Sequence, residues 1–306
     1  MTRRFWTPTL KPSRQNPSEL DKEQKAIERL KEASFHSERL YQAPLLVTTS
    51  GGKDSDLCLE LAQRAGIPFE AVHNHTTADA PETVYHIRET FRRLEEKRIS
   101  CTVNMPTYKG HRVTMWSLIP QKLIPATRLV RYCCSVLKEY CGANRFITTG
   151  VRWAESTARR NGRALFEKPH KNKEKRILLN DNDDRRVLEH CGMKSRWICN
   201  PIIDWTDEDV WAYIEAEHIR INSLYYCGFV RVGCIGCPLI TIKKRYIEFA
   251  CYSQYQTAYI HAFDRMLAMR RTRGLPTDWQ CGEDVFHWWL EDGVLSGQIS
   301  FDDTGG

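Results

Sequence analysis

The 306-residue sequence predicts an α/β protein built on a doubly wound parallel sheet covered by helices on both faces. Three observations predict it. Short β-prone runs alternate with stretches of helical spacing from residue 45 onward. The first run, Leu45-Leu46-Val47-Thr48-Thr49, ends abruptly in Ser50-Gly51-Gly52, and helical spacing follows at once. A second run, Phe69-Glu70-Ala71-Val72-His73, opens after Gly66-Ile67-Pro68, so strand, loop, helix and strand succeed one another as a parallel pairing requires.

In chain order, residues 1–20 carry Pro8, Pro12 and Pro17 among polar residues and read as an extended arm. Asp21 is an acceptable N-cap for a helix reaching Leu40, whose Ile27, Leu30, Ala33 and Leu40 fall on one face. After the glycine pair, Leu57, Cys58, Leu61 and Ala62 mark a second helix. A third is predicted over 81–98, with Pro81 in its first turn. Further strands are predicted over 101–105, 146–151 and 197–202. Residues 161–195 break the alternation, with Lys168, Lys171, Lys173, Lys175 and Arg176 followed by Asp181, Asp183 and Asp184. They read either as a solvated excursion or as a basic loop that tracks a phosphate backbone. Helices are predicted over 207–217, 243–273 and 283–291. The chain thus divides into an arm and helix (1–40), a nucleotide-binding α/β domain (41–205, with the basic insertion) and a helical C-terminal region (206–306).

Hydrophobic content of 42% and charged content of 27% are those of a globular protein. No stretch approaches the roughly 20 apolar residues that span a bilayer. The basic start, Met1-Thr2-Arg3-Arg4-Phe5-Trp6, lacks a following apolar core, so a cytoplasmic location is expected. A net charge of +7 suits phosphate-bearing ligands and leaves nucleic-acid contact undecided. Twelve cysteines without an export signal point to metal or cluster binding rather than disulfides. Two close pairs stand out, Cys133-Cys134 and Cys234-Ile235-Gly236-Cys237. Cys58 and Cys251 read as core fillers on apolar faces.

Ser50-Gly51-Gly52-Lys53-Asp54-Ser55 has the chemistry of a phosphate grip. Two glycines between strand and helix let the backbone turn tightly and aim N–H groups at one anion. The helix N-terminus adds partial positive charge, Lys53 a full one, and Ser50 and Ser55 add hydroxyl donors. A Walker A loop would need a glycine at position 47, which is Val47. The string resembles the pyrophosphate-binding loop of the adenine-nucleotide alpha-hydrolase superfamily, which includes ATP pyrophosphatases, tRNA thiolases and phosphoadenosine phosphosulfate (PAPS) reductases. That resemblance implies ATP as the nucleotide, cleavage between the α and β phosphates, and a part for Asp54 in placing Mg2+.

Four cysteines can hold a [4Fe–4S] cluster or a structural zinc, and tandem cysteines are an awkward start for the tetrahedral zinc site. Arg131-Tyr132-Cys133-Cys134-Ser135-Val136-Leu137-Lys138 is similar to the Cys-Cys-x-x-x-Lys element of bacterial adenylyl-sulfate reductases, and Val232-Gly233-Cys234-Ile235-Gly236-Cys237-Pro238 to their distal element. The resemblance implies a [4Fe–4S] cluster on Cys133, Cys134, Cys234 and Cys237, with Lys138 tuning its surroundings. DNA-sulfur-modification relatives gather their ligands downstream, so Cys227 is a rival to one of the tandem pair.

Gly150-Val151-Arg152-Trp153-Ala154-Glu155-Ser156-Thr157-Ala158-Arg159 is similar to the Gly-x-Arg-x-x-x-Ser-x-x-Arg signature of the PAPS reductase family. Arginines on a post-strand turn offer forked donors to an oxyanion, and Ser156 adds a hydroxyl. Lys53, Asp54, Arg152 and Arg159 are therefore the candidate catalytic residues. Ser50, Gly51, Gly52, Lys53, Asp54, Ser55, Gly150 and Ser156 are the candidate nucleotide contacts. Pro81-Glu82-Thr83 and Asn200-Pro201-Ile202-Ile203-Asp204-Trp205-Thr206 match further family elements. Two departures matter. Reductases of sulfated nucleotides generally lack this loop lysine, and they carry a catalytic cysteine in a Glu-Cys-Gly-x-x-His tail. Here Phe301-Asp302-Asp303-Thr304-Gly305-Gly306 has no cysteine, and Gln280-Cys281-Gly282-Glu283 resembles the tail only faintly, so Cys281 reads as structural.

The resemblance implies an ATP-dependent sulfur-transfer enzyme for DNA phosphorothioation or RNA thiolation, with a cysteine desulfurase as donor and nucleic acid as acceptor. Two alternatives stay open: a reductase of adenylyl sulfate or its 3′-phosphorylated form, and a non-catalytic nucleotide sensor or scaffold.

Overall fold

The computed structural model describes residues 17–139, 141–170, 172–185 and 195–291. Most of the expected arm, Lys171, Cys191 and the last fifteen residues lie outside them. The elements are α1 (Pro17–Tyr41), β1 (Leu45–Thr49), α2 (Lys53–Arg64), β2 (Phe69–Asn74), α3 (Pro81–Glu96), β3 (Cys101–Asn104), β4 (Thr107–Tyr108), β5 (His111–Arg112) and α4 (Met115–Lys122). They continue with β6 (Phe146–Thr148), α5 (Thr157–Gly162), β7 (Phe166–Lys168), β8 (Ile177–Leu179), β9 (Trp197–Cys199), α6 (Asp207–Ala216), α7 (Ile242–Cys251), α8 (Ser253–Thr272) and α9 (Gly282–Leu290).

Seven strands form one sheet in the order β3-β2-β1-β6-β9-β7-β8, and β4 and β5 make a separate hairpin. The pairs β2/β3, β1/β6 and β6/β9 are parallel. This is the α/β class the alternation predicts, with the glycine pair after β1 where open sheets bind ligands. Each predicted strand is present, the later ones shortened.

The chain forms two compact units that interleave along the sequence: Met1–Val47, Lys53–Phe69 and Asn144–Arg220 in one, Thr48–Gly52, Glu70–Ala143 and Ile221–Gly306 in the other. The sequence reading divides it instead into consecutive segments at 40/41 and 205/206. In the first unit Leu30, Leu45, Leu57, Leu61, Phe146, Phe166 and Trp197 are fully buried. Phe146 stacks on Trp197 and meets Phe166 edge-on, which fixes the parallel β6/β9 pair against β7. In the second unit α4, α8 and α9 enclose an aromatic core of Phe249, Tyr259, Phe263, Phe286 and Trp289.

Three local expectations are corrected. The first helix starts at Pro17, so Asp21 lies inside it and is no cap. The predicted 243–273 helix is two, because Tyr252 leaves helical geometry (φ −129°, ψ 62°) and donates its hydroxyl to Glu82 Oε2 at 2.8 Å. The described part of 161–195 is no plain excursion. β7 and β8 pair antiparallel and β7 joins β9, so the insertion extends the sheet. Buried Arg29 of α1 ties its far end down, meeting Asp181 Oδ1 at 3.0 Å and Asp204 Oδ1 at 2.7 Å. The antiparallel hairpin escaped detection because its strands are three residues each, too short for a period-2 pattern.

Candidate functional site

Lys53 is the first residue of α2, and its side chain is buried. Its Nζ lies 3.1 Å from Asp54 Oδ1 and 3.1 Å from Asp207 Oδ1, and 5.8 Å from the Trp211 ring centroid. Arg152, 1% exposed, donates from Nε to Asp54 Oδ1 at 2.7 Å and from Nη2 to Asp207 Oδ1 at 2.7 Å. Two cations and two carboxylates thus form one closed network at the start of α2. Burial works to raise Asp207, but hydrogen bonds from Arg152 and Lys53 hold it below the usual carboxylate range. The Asp207 side chain is 60% exposed and that of Asp54 25%, so both carboxylates keep open faces.

Gly150 explains how Arg152 reaches this network. A Cβ at Gly150 would stand 2.8 Å from the backbone carbonyl of Asp54, so only glycine lets the loop after β6 lie against the start of α2. Arg152 was expected to offer its fork to an oxyanion. Its donors go to the two carboxylates and to the Trp205 carbonyl, so it orients acids instead. Ser156 caps α5, accepting from the Arg159 N–H at 3.2 Å, and Arg159 pairs with Glu155. Neither side chain joins the Lys53–Asp54–Arg152 network through these contacts. Asp207 is the residue that sequence reasoning missed. Its signal was its place as the first acid of the helix following the Asn200–Thr206 element.

In the second unit the loop begins with Thr49, whose Oγ1 accepts the Gly51 N–H at 3.2 Å. Gly51 has φ +72°, and a Cβ there would meet Thr83 Cγ2 at 2.9 Å. Buried Asn222 donates to the Gly51 carbonyl at 3.2 Å and to Thr83 Oγ1 at 3.0 Å, locking the turn. The Thr83 of the Pro81-Glu82-Thr83 element therefore supports the glycine turn. Ser50 is exposed, Gly52 half-buried and Ser55 buried on α2.

Cys133, Cys134, Cys234 and Cys237 line one cavity together with Lys138, Tyr259 and Trp289. A π-helical turn, Cys134–Lys138, returns Lys138 to the face that carries the tandem thiols. The Cys133–Cys134 hydrogen bond raises Cys133 and lowers Cys134, which Arg131 also favours as a thiolate from 3.8 Å. Burial opposes the Cys234 thiolate and Lys138 favours it. Lys138 is exposed along its length while its ammonium end is crowded by Cys234, Asp79 and Cys237, which raise its pKa. Gly236 has φ +72°, and a Cβ there would stand 2.4 Å from the Phe249 ring, so the distal loop lies flat on α7.

Among the described residues, no three of these thiols fall within 4.8 Å of one another, whereas a tetrahedral zinc with Zn–S bonds of about 2.3 Å sets its sulfurs about 3.8 Å apart. Four thiols on one cavity are a donor set of the kind that a [4Fe–4S] cluster takes. Cys227 is exposed and does not line this cavity. Cys58 is buried as expected, but Cys251 is exposed, a correction to its reading as core. Cys281 is exposed at the N-cap of α9.

Among the described residues no helix is long and apolar enough to cross a membrane. A model of the phosphoadenosine phosphosulfate reductase domain matches residues 44–240. Two uncharacterized proteins of Methanocaldococcus jannaschii are each 27% identical, over 217 and 211 residues and 65% and 66% of this chain. The chain spans less than half of their length, 44% and 37%. Adenosine 5′-phosphosulfate reductase of Bacillus mycoides is 24% identical over 209 residues, 65% of this chain and 75% of its own. The crystal structure of phosphoadenylyl-sulfate reductase from Candida auris, a phosphate complex, aligns with 74% of this chain and 98% of its own at 16% identity and a TM-score of 0.45.

Proposed function

This chain belongs to the phosphoadenosine phosphosulfate reductase family, and from that premise we propose that it is an ATP-dependent sulfur-transfer enzyme that adenylates an acceptor oxygen. The observation that carries the reading is the complete Ser50–Ser55 string, with Lys53 at the first position of α2 and bridging Asp54 and Asp207. A lysine at a helix N-terminus suits a polyphosphate, and two half-open carboxylates beside it suit a magnesium nucleotide. The hard oxygen donors of Asp54 and Asp207 would hold Mg2+, which supplies charge neutralisation along the phosphates.

In this reading the Gly51–Gly52 turn and the first N–H groups of α2 hold the pyrophosphate portion of ATP. Arg152 fixes Asp54 and Asp207 in direction and favours the ionised form of Asp207, and Lys53 bears on the charge that grows on the leaving oxygen. An acceptor oxygen attacks the α-phosphorus, the bond to the bridging oxygen breaks, and pyrophosphate leaves with the electron pair. A sulfur nucleophile at the sulfide level then attacks the activated atom and AMP departs. A cysteine desulfurase supplies that sulfur as a persulfide, which a thiol reductant brings to the sulfide level with two electrons. Cys133, Cys134, Cys234 and Cys237 would hold a [4Fe–4S] cluster, which offers iron for sulfur or electron chemistry. Exposed Lys173, Lys175 and Arg176 favour a nucleic acid as acceptor, DNA for phosphorothioation or tRNA for thiolation. A reducing cytoplasm suits eleven described cysteines that form no disulfide with one another.

Family membership itself favours a second reading, reduction of adenylyl sulfate or its 3′-phosphorylated form. The two are separated with anaerobically purified protein, given ATP with DNA or tRNA, or adenylyl sulfate with a thiol reductant. Pyrophosphate release with ATP, lost in Lys53→Ala, is the expected result. Sulfite formation that persists in Lys53→Ala and disappears in Cys281→Ser establishes the reductase. Nucleotide binding without turnover of any substrate leaves a sensor or scaffold.

A further inference from the structure

A second cluster of metal-binding side chains lies at the end of β2 and in the segment that follows it, beside the phosphate loop and the strand bridge to Cys234 but made of other residues. His73, His75 and Asp79 bring one ligand atom each within 4.8 Å of one another, the one such group among the described residues. His73 Nε2 is 4.0 Å from Asp79 Oδ2, and His75 Nδ1 is 3.5 Å from the same oxygen. Two donors bound tetrahedrally at 2.0–2.1 Å stand about 3.3 Å apart, so each histidine lies within an ångström of the bound spacing from Asp79.

The state of His73 points independently to a ligand. Its ring is 4% exposed, and Nδ1 lies 2.9 Å from the Thr49 carbonyl, which can only accept, so Nδ1 carries the proton. Nε2 is then a bare lone pair, and it is buried without a hydrogen-bond partner. Leaving such an acceptor unpaired costs on the order of 1–3 kcal/mol. A metal-ligating histidine has this same arrangement, with one nitrogen held by a backbone carbonyl and the other on the metal. Asp79 is oriented in the same way, its Oδ2 accepting the Thr76 N–H at 2.9 Å and its carbonyl accepting the Tyr255 hydroxyl at 2.6 Å. Lys138 is the cation nearby, and the thiols of Cys234 and Cys237 share its charge with Asp79. His75 is only partly buried, which leaves the site an opening toward solvent.

We propose that His73, His75 and Asp79 bind one divalent transition-metal ion, two imidazole nitrogens and a carboxylate oxygen leaving a coordination position open. The donor set suits zinc or ferrous iron. None of its ligands belongs to the phosphate loop or the thiol cavity, so the inference stands apart from the reading of nucleotide and cluster.

Zinc is the probe. Full-length protein, purified anaerobically, is equilibrated with zinc chloride, freed of loosely held metal by gel filtration and analysed for zinc and iron. About one zinc per chain is expected in the wild type, with an X-ray absorption edge fitted by nitrogen and oxygen neighbours alone. His75→Gln and Asp79→Asn, the first at a partly exposed position that tolerates exchange, should weaken zinc binding roughly 10–100-fold while iron content holds. Failure of the wild type to retain zinc, sulfur in the zinc shell, or undiminished zinc in both variants would overturn the proposal.

Discussion

Lys53, Asp54, Arg152 and Asp207 are the residues on which the functional reading rests, and each depends on the others for its direction. Arg152 reaches Asp54 only because Gly150 lets the backbone pass against the start of α2. Gly150→Ala should therefore destabilise the protein by about 1–3 kcal/mol through overpacking, and weaken ATP binding as well. Thermal unfolding and nucleotide titration check this, and an unchanged affinity would separate Gly150 from the site. Lys53 and Asp54 were legible in the sequence because a glycine pair followed by a lysine at a strand-to-helix junction has few other uses. The carboxylate partners of Arg152 were not legible, since sequence cannot tell which groups a fork will face. Asp207 was missed for a related reason. An acid in the first turn of a helix is ordinary there, and only the fold sets it beside Lys53.

At the scale of elements, the glycine before Cys237 carries the sharpest expectation. Gly236 combines φ +72° with the close approach to Phe249, whereas Gly66, at φ +63°, has open space where a Cβ would go. Gly66→Ala should cost only the backbone strain, on the order of 1 kcal/mol. Gly236→Ala should cost more and lower the iron content of the purified protein along with its melting temperature. Equal effects of the two changes would contradict the packing account. The Cys-x-x-Cys spacing was visible in sequence, and so was its pairing with Cys133 and Cys134 through family resemblance. The π-helical turn that carries Lys138 to the thiols was not, because one wide turn leaves no periodic trace in five residues. The break at Tyr252 was hidden likewise, since apolar spacing runs on unbroken through α7 and α8.

For the molecule as a whole, the alternation of strands and helices sufficed to give the class of fold and the place of the loop. The interleaving of the two units was beyond it, because compactness depends on contacts far apart in sequence. One such contact makes stability depend on acidity. Hydrogen bonds from Arg29 outweigh burial and hold Asp181 below the usual carboxylate range. Its contribution is present above the unfolded value of about 3.9 and is lost as pH falls through the lower folded value. Asp181→Asn should therefore melt below the wild type at pH 7, and the gap should close as pH drops past about 4. A gap that stays constant with pH would contradict this assignment. Whether the Ser50–Ser55 loop serves cleavage of ATP at the α-phosphorus is decided by product analysis of ATP labelled in the α and γ phosphates. With nucleic acid present, the wild type should yield pyrophosphate together with AMP or an adenylylated acceptor, and Lys53→Ala neither. ADP and inorganic phosphate as products, or pyrophosphate release that survives Lys53→Ala, would contradict it.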